Sequence, residues 1–248
     1  MERTLRELYL NLLIKTLANL IYEDPSITPG SEARFDATLR VEGRDWPESA
    51  HTMAGVKRLE SLRALTQRTL DESIPGDFIE TGVWRGGCCI LMRGVLAANL
   101  ISDRRIYVAD SFAGLPPADA AAYPADRGFD LDRYPQLAVP LEEVRKNFAR
   151  YDLLDEQVVF IKGFFSETLP TLQAGPFALL RLDGDLYEST YVALQALYPK
   201  LSHRGFVIVD DFNAFPPCKQ AVLDYRHEMK IDCPMHEIDW TAYWWRKE

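Results

Sequence analysis

Two apolar runs that end abruptly in carboxylates set the limits on what this chain can fold into. They are LLRLDGD at 179–185 and GFVIVDD at 205–211. Both are apolar at successive positions, the pattern of a strand buried on both faces in a parallel sheet. One helix-length segment separates them, so the two strands can be neighbours. Asp183 and Asp185 follow the first run; Asp210 and Asp211 follow the second. Acids just past the carboxyl ends of parallel strands stand where open α/β sheets bind ligands. Carboxylates converging there repel one another unless a cation holds them. The expected cation is a hard, oxygen-seeking one such as Mg²⁺, with Asp183, Asp210 and Asp211 as ligands and Asp185 beside the substrate as base. The blander reading, Asp210 and Asp211 as caps of the next helix, does not account for the second acid pair.

From Asp77 onward, strand and helix patterns alternate, which predicts a parallel α/β sheet with right-handed crossovers. DFIET, RIYVADSF, QVVFIKG, FALLRLDGD and GFVIVDDF read as strands. GGCCILMRGVLAANL, residues 141–153, ETLPTL, Tyr187 to Leu201 and KQAVLDYRHEM read as helices. The tail HEIDWTAYWWRKE predicts closing antiparallel edge strands. Ahead of this core, Leu5, Leu8, Leu12, Leu13, Leu17, Leu20 and Ile21 recur at helical spacing, and a second helix is expected near 52–70. The division expected is residues 1–70 as a helical extension with a lid, and 71–248 as the nucleotide-type domain. Residues 23–50 and 114–140 are polar or rich in proline, too long for plain connectors, and read as lids or arms.

A length of 248 residues fits this plan, and the formal charge of −9 opposes nucleic acid as a partner. No apolar run reaches membrane length and no leader pattern opens the chain. Cysteines 88, 89, 218 and 233 have neither metal nor disulfide spacing, so a reduced cytoplasmic protein is expected.

DFIETGVWRGGC, residues 77–88, is a strand, a glycine turn and a helix start. Its glycines, Gly82, Gly86 and Gly87, do not follow the dinucleotide order, and the P-loop Lys-Ser/Thr is missing. Glu80 stands just before the turn, a poor place for a pyrophosphate and a good one for a cationic ligand. S-adenosylmethionine is such a ligand. Asp110 at the next strand end would accept its ribose hydroxyls, and Phe112 would cover its adenine. Methyl transfer to an alcohol also explains the acids. A hydroxyl pKa of about 16 must be offset by several units, at about 1.4 kcal/mol each. A metal ion and an adjacent carboxylate base together do this.

ELYLNLLIKTLANLIY (7–22), AHTMAGVKRL (50–59), GDFIETGVWRGG (76–87), VADSFAGLP (108–116), LRLDGDLYEST (180–190) and VDDF (209–212) together resemble the macrocin O-methyltransferase family. Its members are class I, S-adenosylmethionine-dependent enzymes that methylate deoxysugars of bacterial natural products. The resemblance implies a Rossmann-like core, Mg²⁺ dependence, a small-molecule glycoside substrate and a homo-oligomer. By motif position it puts the metal acids on Asp183, Asp210 and Asp211. It puts the base on Asp185, with Asp183 as rival. Cofactor contacts fall on Glu80, Thr81, Gly82, Trp84, Gly86, Gly87 and Cys88. Further ones fall on Asp110, Ser111 and Phe112, on Gly163, Phe164 and Ser166, and on Asp183. Substrate contacts fall on Trp46, His51 and Met53. Two rivals stand beside this reading: a catechol-type O-methyltransferase, and a non-catalytic nucleotide-binding partner on the same fold.

Overall fold

The computed structural model describes residues 4–248. Strands β1 (Asp77–Thr81), β2 (Ile106–Asp110), β3 (Val158–Lys162), β4 (Phe177–Leu182) and β5 (Leu201–Val209) run parallel. β6 (His236–Glu237) and β7 (Tyr243–Arg246) close one edge as an antiparallel pair, with β7 against β5. The sheet order is β3-β2-β1-β4-β5-β7-β6. The chain therefore enters at β1, builds outward through β2 and β3, and returns to lay β4 on the other side of β1. The crevice at that reversal, beyond the carboxyl ends of β1 and β4, is where such sheets bind ligands.

Each sheet face has its own core. Phe78, Ile106, Val108, Ala178, Leu179, Phe206 and Ile208 meet the helices α1 (Leu5–Leu17), α3 (Val56–Asp71), α4 (Gly87–Ala98) and α5 (Leu141–Arg150). Ile79, Tyr107, Ala109, Leu180, Val207 and Val209 meet α6 (Phe165–Thr168), α7 (Tyr187–Leu197) and α8 (Pro216–Glu228). The helical extension shares the first core. Leu10, Leu13, Ile14 and Leu17 of α1 are buried, and Gly94 of α4 lets α1 approach so closely that a Cβ there would strike Leu13.

Several boundaries move for identifiable reasons. α6 ends at Thr168, shortly before Pro170, which has no N–H to carry the helical hydrogen-bond ladder on. α7 stops at Leu197 and passes into a 3₁₀ turn containing Pro199. β2 stops at Asp110; Phe112 takes a left-handed φ of 54° and leaves the strand line.

The polar stretch 23–50 is organised. It contains a short helix, α2 (Ala37–Glu42), capped by Asp36 and ended by Gly43 in the left-handed conformation. Arg40, 2% exposed, binds Asp24 at 2.6 Å and Asp45 at 2.9 Å, and donates to the Ala18 carbonyl at 3.1 Å. The other long segment, 114–140, holds three 3₁₀ turns and is tied down by Asp126. That fully buried carboxylate accepts from the Tyr187 and Glu188 amides at 2.6 and 3.1 Å, capping α7. Among the described residues no helix is long and apolar enough to cross a membrane.

Candidate active site

Strand register assembles the charged centre. Glu80 stands opposite Arg181, and Arg181 opposite Ile208. Side chains two residues apart share a face. Asp183, two beyond Arg181, and Asp210, two beyond Ile208, therefore join Glu80 and Arg181 on the face covered by α3. Arg181 is 3% exposed and donates to Glu80 Oε1 at 2.5 Å, to Asp183 Oδ2 at 2.7 Å and to Asp210 Oδ1. From α3, Arg58 donates to Asp210 Oδ2, to Asp239 at 3.1 Å and to the Gly43 carbonyl at 2.9 Å. The second Glu80 oxygen accepts from Cys89 Sγ at 2.7 Å.

Asp183, Asp185 and Asp211 each bring an oxygen within 4.8 Å of the others. With Glu80 and Asp210 they make five carboxyls for two guanidiniums. The excess is visible in their acidities. Burial, then Asp183 and Asp210, pushes Asp185 up to about 8. Burial, then Asp185, raises Asp211 well above the usual range, and burial, then Asp210, raises Asp183. Burial also works to raise Asp210, but Arg181 and Arg58 outweigh it and hold that group below the usual range. Glu80 is pushed up to about 7 by burial, against the pull of Arg181 and Cys89. A compact set of hard oxygens with surplus negative charge fits a divalent cation such as Mg²⁺. A carboxylate has about four acceptor sites, so Asp210 with one guanidinium donor on each oxygen keeps capacity for such an ion.

Two cavities meet at these acids. The first is lined by Met53, Gly82, Trp84, Asp110, Ser111, Phe164, Ser166 and Glu188, with Gly114, Leu115, Pro116 and Leu137 of the 114–140 segment over it. Gly82 takes φ 81°, and a Cβ there would overlap the Asp183 carbonyl oxygen, so the β1 turn can pass the β4 turn only as glycine. Asp110 accepts the Val83 and Phe112 amides at 2.8 Å each and the Ser111 hydroxyl at 3.4 Å, which fixes its carboxyl at the wall of this cavity. This cleft, with a carboxylate at the β2 end and apolar walls, fits an adenosyl ligand. The second cavity, ≈ 350 Å³, lies on the far side of the acids and is lined by Trp46, Met53, Trp84, Arg58, Arg181, Asp210, Asp211 and Phe215, among others. That volume is within the roughly 300–1,000 Å³ of small-molecule sites. Asp183 and Asp185 line both cavities.

Other residues singled out in the sequence stand behind these walls or are held by neighbours, and Glu80 and Cys88 line the second cavity. Glu80 has both oxygens engaged by Arg181 and Cys89, and Thr81 is buried behind the glycine turn. Phe112 packs into the core against Phe160, ring centroids 6.3 Å apart, instead of lining the first cavity. Gly86 and Gly87 start α4, where the Gly87 amide donates to the His51 carbonyl at 2.8 Å; Cys88 faces the second cavity. Gly163 accepts a turn at the end of β3, with its amide on the Asp110 carbonyl at 3.0 Å.

The His51 ring lines neither cavity. Its Nδ1 pairs with the Tyr151 hydroxyl at 2.8 Å, and burial, then Arg150 and Arg85, lowers its pKa to about 4. Its folded pKa lies below the unfolded value of about 6.5, so its contribution is complete above pH 6.5 and is lost as pH falls toward 4. Urea unfolding at pH 7 and pH 5 checks this. The parent loses about 1–2 kcal/mol more on acidification than His51→Gln.

Arg58 and Asp239 were not signalled by the sequence as site residues. Arg58 sits in a helical run that reads as ordinary surface charge; its burial shows only once α3 is laid on the β4–β5 ends.

The profile of the macrocin-O-methyltransferase family matches residues 6–247. The demethyldecarbamoylnovobiocin O-methyltransferase of Streptomyces niveus is 51% identical over 244 residues, covering 97% of this chain and 93% of the relative. A Streptomyces olivaceus enzyme is 50% identical over 248 residues, covering 99% of this chain and 95% of the relative. It is the 8-demethyl-8-(2,3-dimethoxy-alpha-L-rhamnosyl)-tetracenomycin-C 4'-O-methyltransferase. The solved structure of the O-methyltransferase NovP superposes with a TM-score of 0.93 at 50% identity, covering 98% of this chain and 99% of that one.

Proposed function

The chain belongs to the macrocin-O-methyltransferase family, and on that premise we propose that it transfers a methyl group from S-adenosylmethionine to a deoxysugar hydroxyl on a glycosylated natural product. It is a methyltransferase of the class I α/β fold. The observation that carries the finer reading is the position of Asp183 and Asp185, which form the shared wall of both cavities. A donor in the first and an acceptor in the second would meet there.

Asp183, Asp210 and Asp211 are the proposed ligands of a Mg²⁺ ion, with Arg58 and Arg181 orienting Asp210 from behind. When bound, the ion would lower the acidity barrier of an acceptor hydroxyl by adding positive charge beside it. S-adenosylmethionine brings a methyl group already activated by its sulfonium. The remaining work belongs to the chain. Asp185 takes the hydroxyl proton as the oxygen–methyl bond forms, and its raised pKa suits a base working near neutrality. Gly82 and Asp110 hold the adenosyl end in the first cavity. Trp84 donates its indole N–H to the Gln136 carbonyl at 2.9 Å, which draws the 114–140 segment over that cavity and excludes water.

A chelation assay tests this reading. With the glycoside acceptors of the two relatives, each product should be heavier than its acceptor by one CH2, a methyl in place of the hydroxyl hydrogen. EDTA should abolish turnover, and excess Mg²⁺ should restore it. Full activity after exhaustive chelation would remove the metal from the reading. Turnover of catechols alone would remove the sugar.

We also propose a homo-oligomer in which α1 contributes to the contact, since Leu5, Leu8 and Leu12 expose 86%, 47% and 57% of their surface. A reducing cytoplasm suits the four buried free cysteines.

A further inference from the structure

The second cavity runs past the acids to a rim of aromatic rings that proton transfer does not need. Trp240, between β6 and β7, stands at that rim with 37% of its surface exposed. Its ring is held from two sides. The indole N–H donates to the Glu42 carbonyl at 2.9 Å, and the Arg44 guanidinium lies 4.1 Å from the ring centroid. Phe215, which follows β5, lines the same cavity and meets Phe129 edge-on at 6.3 Å. Three segments distant in sequence thus bring Arg44, Phe215 and Trp240 to one cavity that also holds Asp185. An immobilised ring binds an apolar body with little further loss of side-chain freedom.

We propose that Trp240, braced by Arg44, forms with Phe215 a subsite for the apolar body that carries the acceptor sugar. The proposal rests on the sugar-methylation reading above. In it the sugar sits against the acids while the aglycone lies along the Trp240 ring.

Steady-state kinetics on the full-length enzyme, with saturating S-adenosylmethionine and Mg²⁺, test it with three probes. These are the dimethoxyrhamnosyl-tetracenomycin glycoside, the aglycone-free methyl 2,3-di-O-methyl-α-L-rhamnoside, and the same sugar as its nucleoside diphosphate. The parent should favour the first by at least about tenfold in kcat/KM. Trp240→Ala should raise KM for that glycoside about tenfold, hold kcat within about twofold and leave KM for the methyl glycoside unchanged; Trp240→Phe should recover most of the loss. Equal losses on both phosphate-free acceptors, or none on either, overturn the subsite and leave Trp240 as a brace between the α2 arm and the hairpin. Equal losses with a changed mass in light scattering make it a contact between copies. A parent preference for the nucleotide-linked sugar over the glycoside overturns the subsite, since that acceptor has no apolar aglycone to lay along the Trp240 ring. A parent that turns over none of the three overturns the sugar reading itself, and the subsite with it.

Discussion

Replacing Asp185 with Asn lowers kcat by about 10²- to 10⁴-fold, the usual reach of a general base. It leaves S-adenosylmethionine affinity within about threefold. The backbone gives a reason to expect a folded variant. Asp185 takes φ 57°, and Asn tolerates the left-handed region as readily as Asp. Asp185 is not paired with Arg58 or Arg181, so its charge can be removed without orphaning a guanidinium. If the role is proton abstraction in the transition state, kcat and kcat/KM fall together. The parent's kcat/KM drops as pH falls through the base's pKa, and the variant's profile lacks that limb. Isothermal calorimetry with the cofactor and stopped-time methylation assays across pH 6–9 check the prediction. A variant within threefold of the parent shifts the role to Asp183, and Asp183→Asn is then the variant that loses the limb.

Arg181→Met carries the largest expected effect on stability. The guanidinium is 3% exposed and answers three acids at once, Glu80, Asp183 and Asp210. Removing one member of a buried ion pair leaves charge uncompensated and costs about 3–5 kcal/mol. For a chain of this size that lowers Tm by roughly 6–20 °C at pH 8. The pH dependence has a definite sign. Glu80 and Asp183 already sit above their unfolded acidities, and loss of Arg181 raises them further. The folded variant then binds more protons than the unfolded chain between about pH 4 and pH 8, so its stability rises as pH falls. The deficit against the parent shrinks from pH 8 to pH 5. A deficit of the same size at both values would mean that Arg181 acts through packing alone.

The sheet was legible because burial on both faces leaves a continuous apolar run. β4 and β5 announced themselves that way, and the alternating tail announced the hairpin of β6 and β7. The acids at the strand ends were legible for a related reason: a carboxylate directly after such a run has nowhere else to stand. What stayed hidden were pairings across long sequence distance. Arg58 reaches Asp210 across 152 residues, and Asp126 caps α7 from 61 residues away. Neither leaves a local pattern. Phe112 was hidden by one backbone angle, since a strand continued through it would aim the ring at the ligand, whereas the turn sends it into the core. α2 was in principle readable, with Asp36 and Gly43 bracketing six residues, but so short a helix has too little periodicity to stand out from a polar arm.

The most direct test of the central claim is anomalous diffraction from crystals grown with Mn²⁺, S-adenosylhomocysteine and a glycoside acceptor. The account predicts one manganese peak at the carboxyl ends of β4 and β5, with Asp183, Asp210 and Asp211 oxygens at about 2.0–2.3 Å and an acceptor oxygen in the same coordination sphere. A peak elsewhere, or none at a Mn²⁺ concentration that fully activates the enzyme, would contradict it.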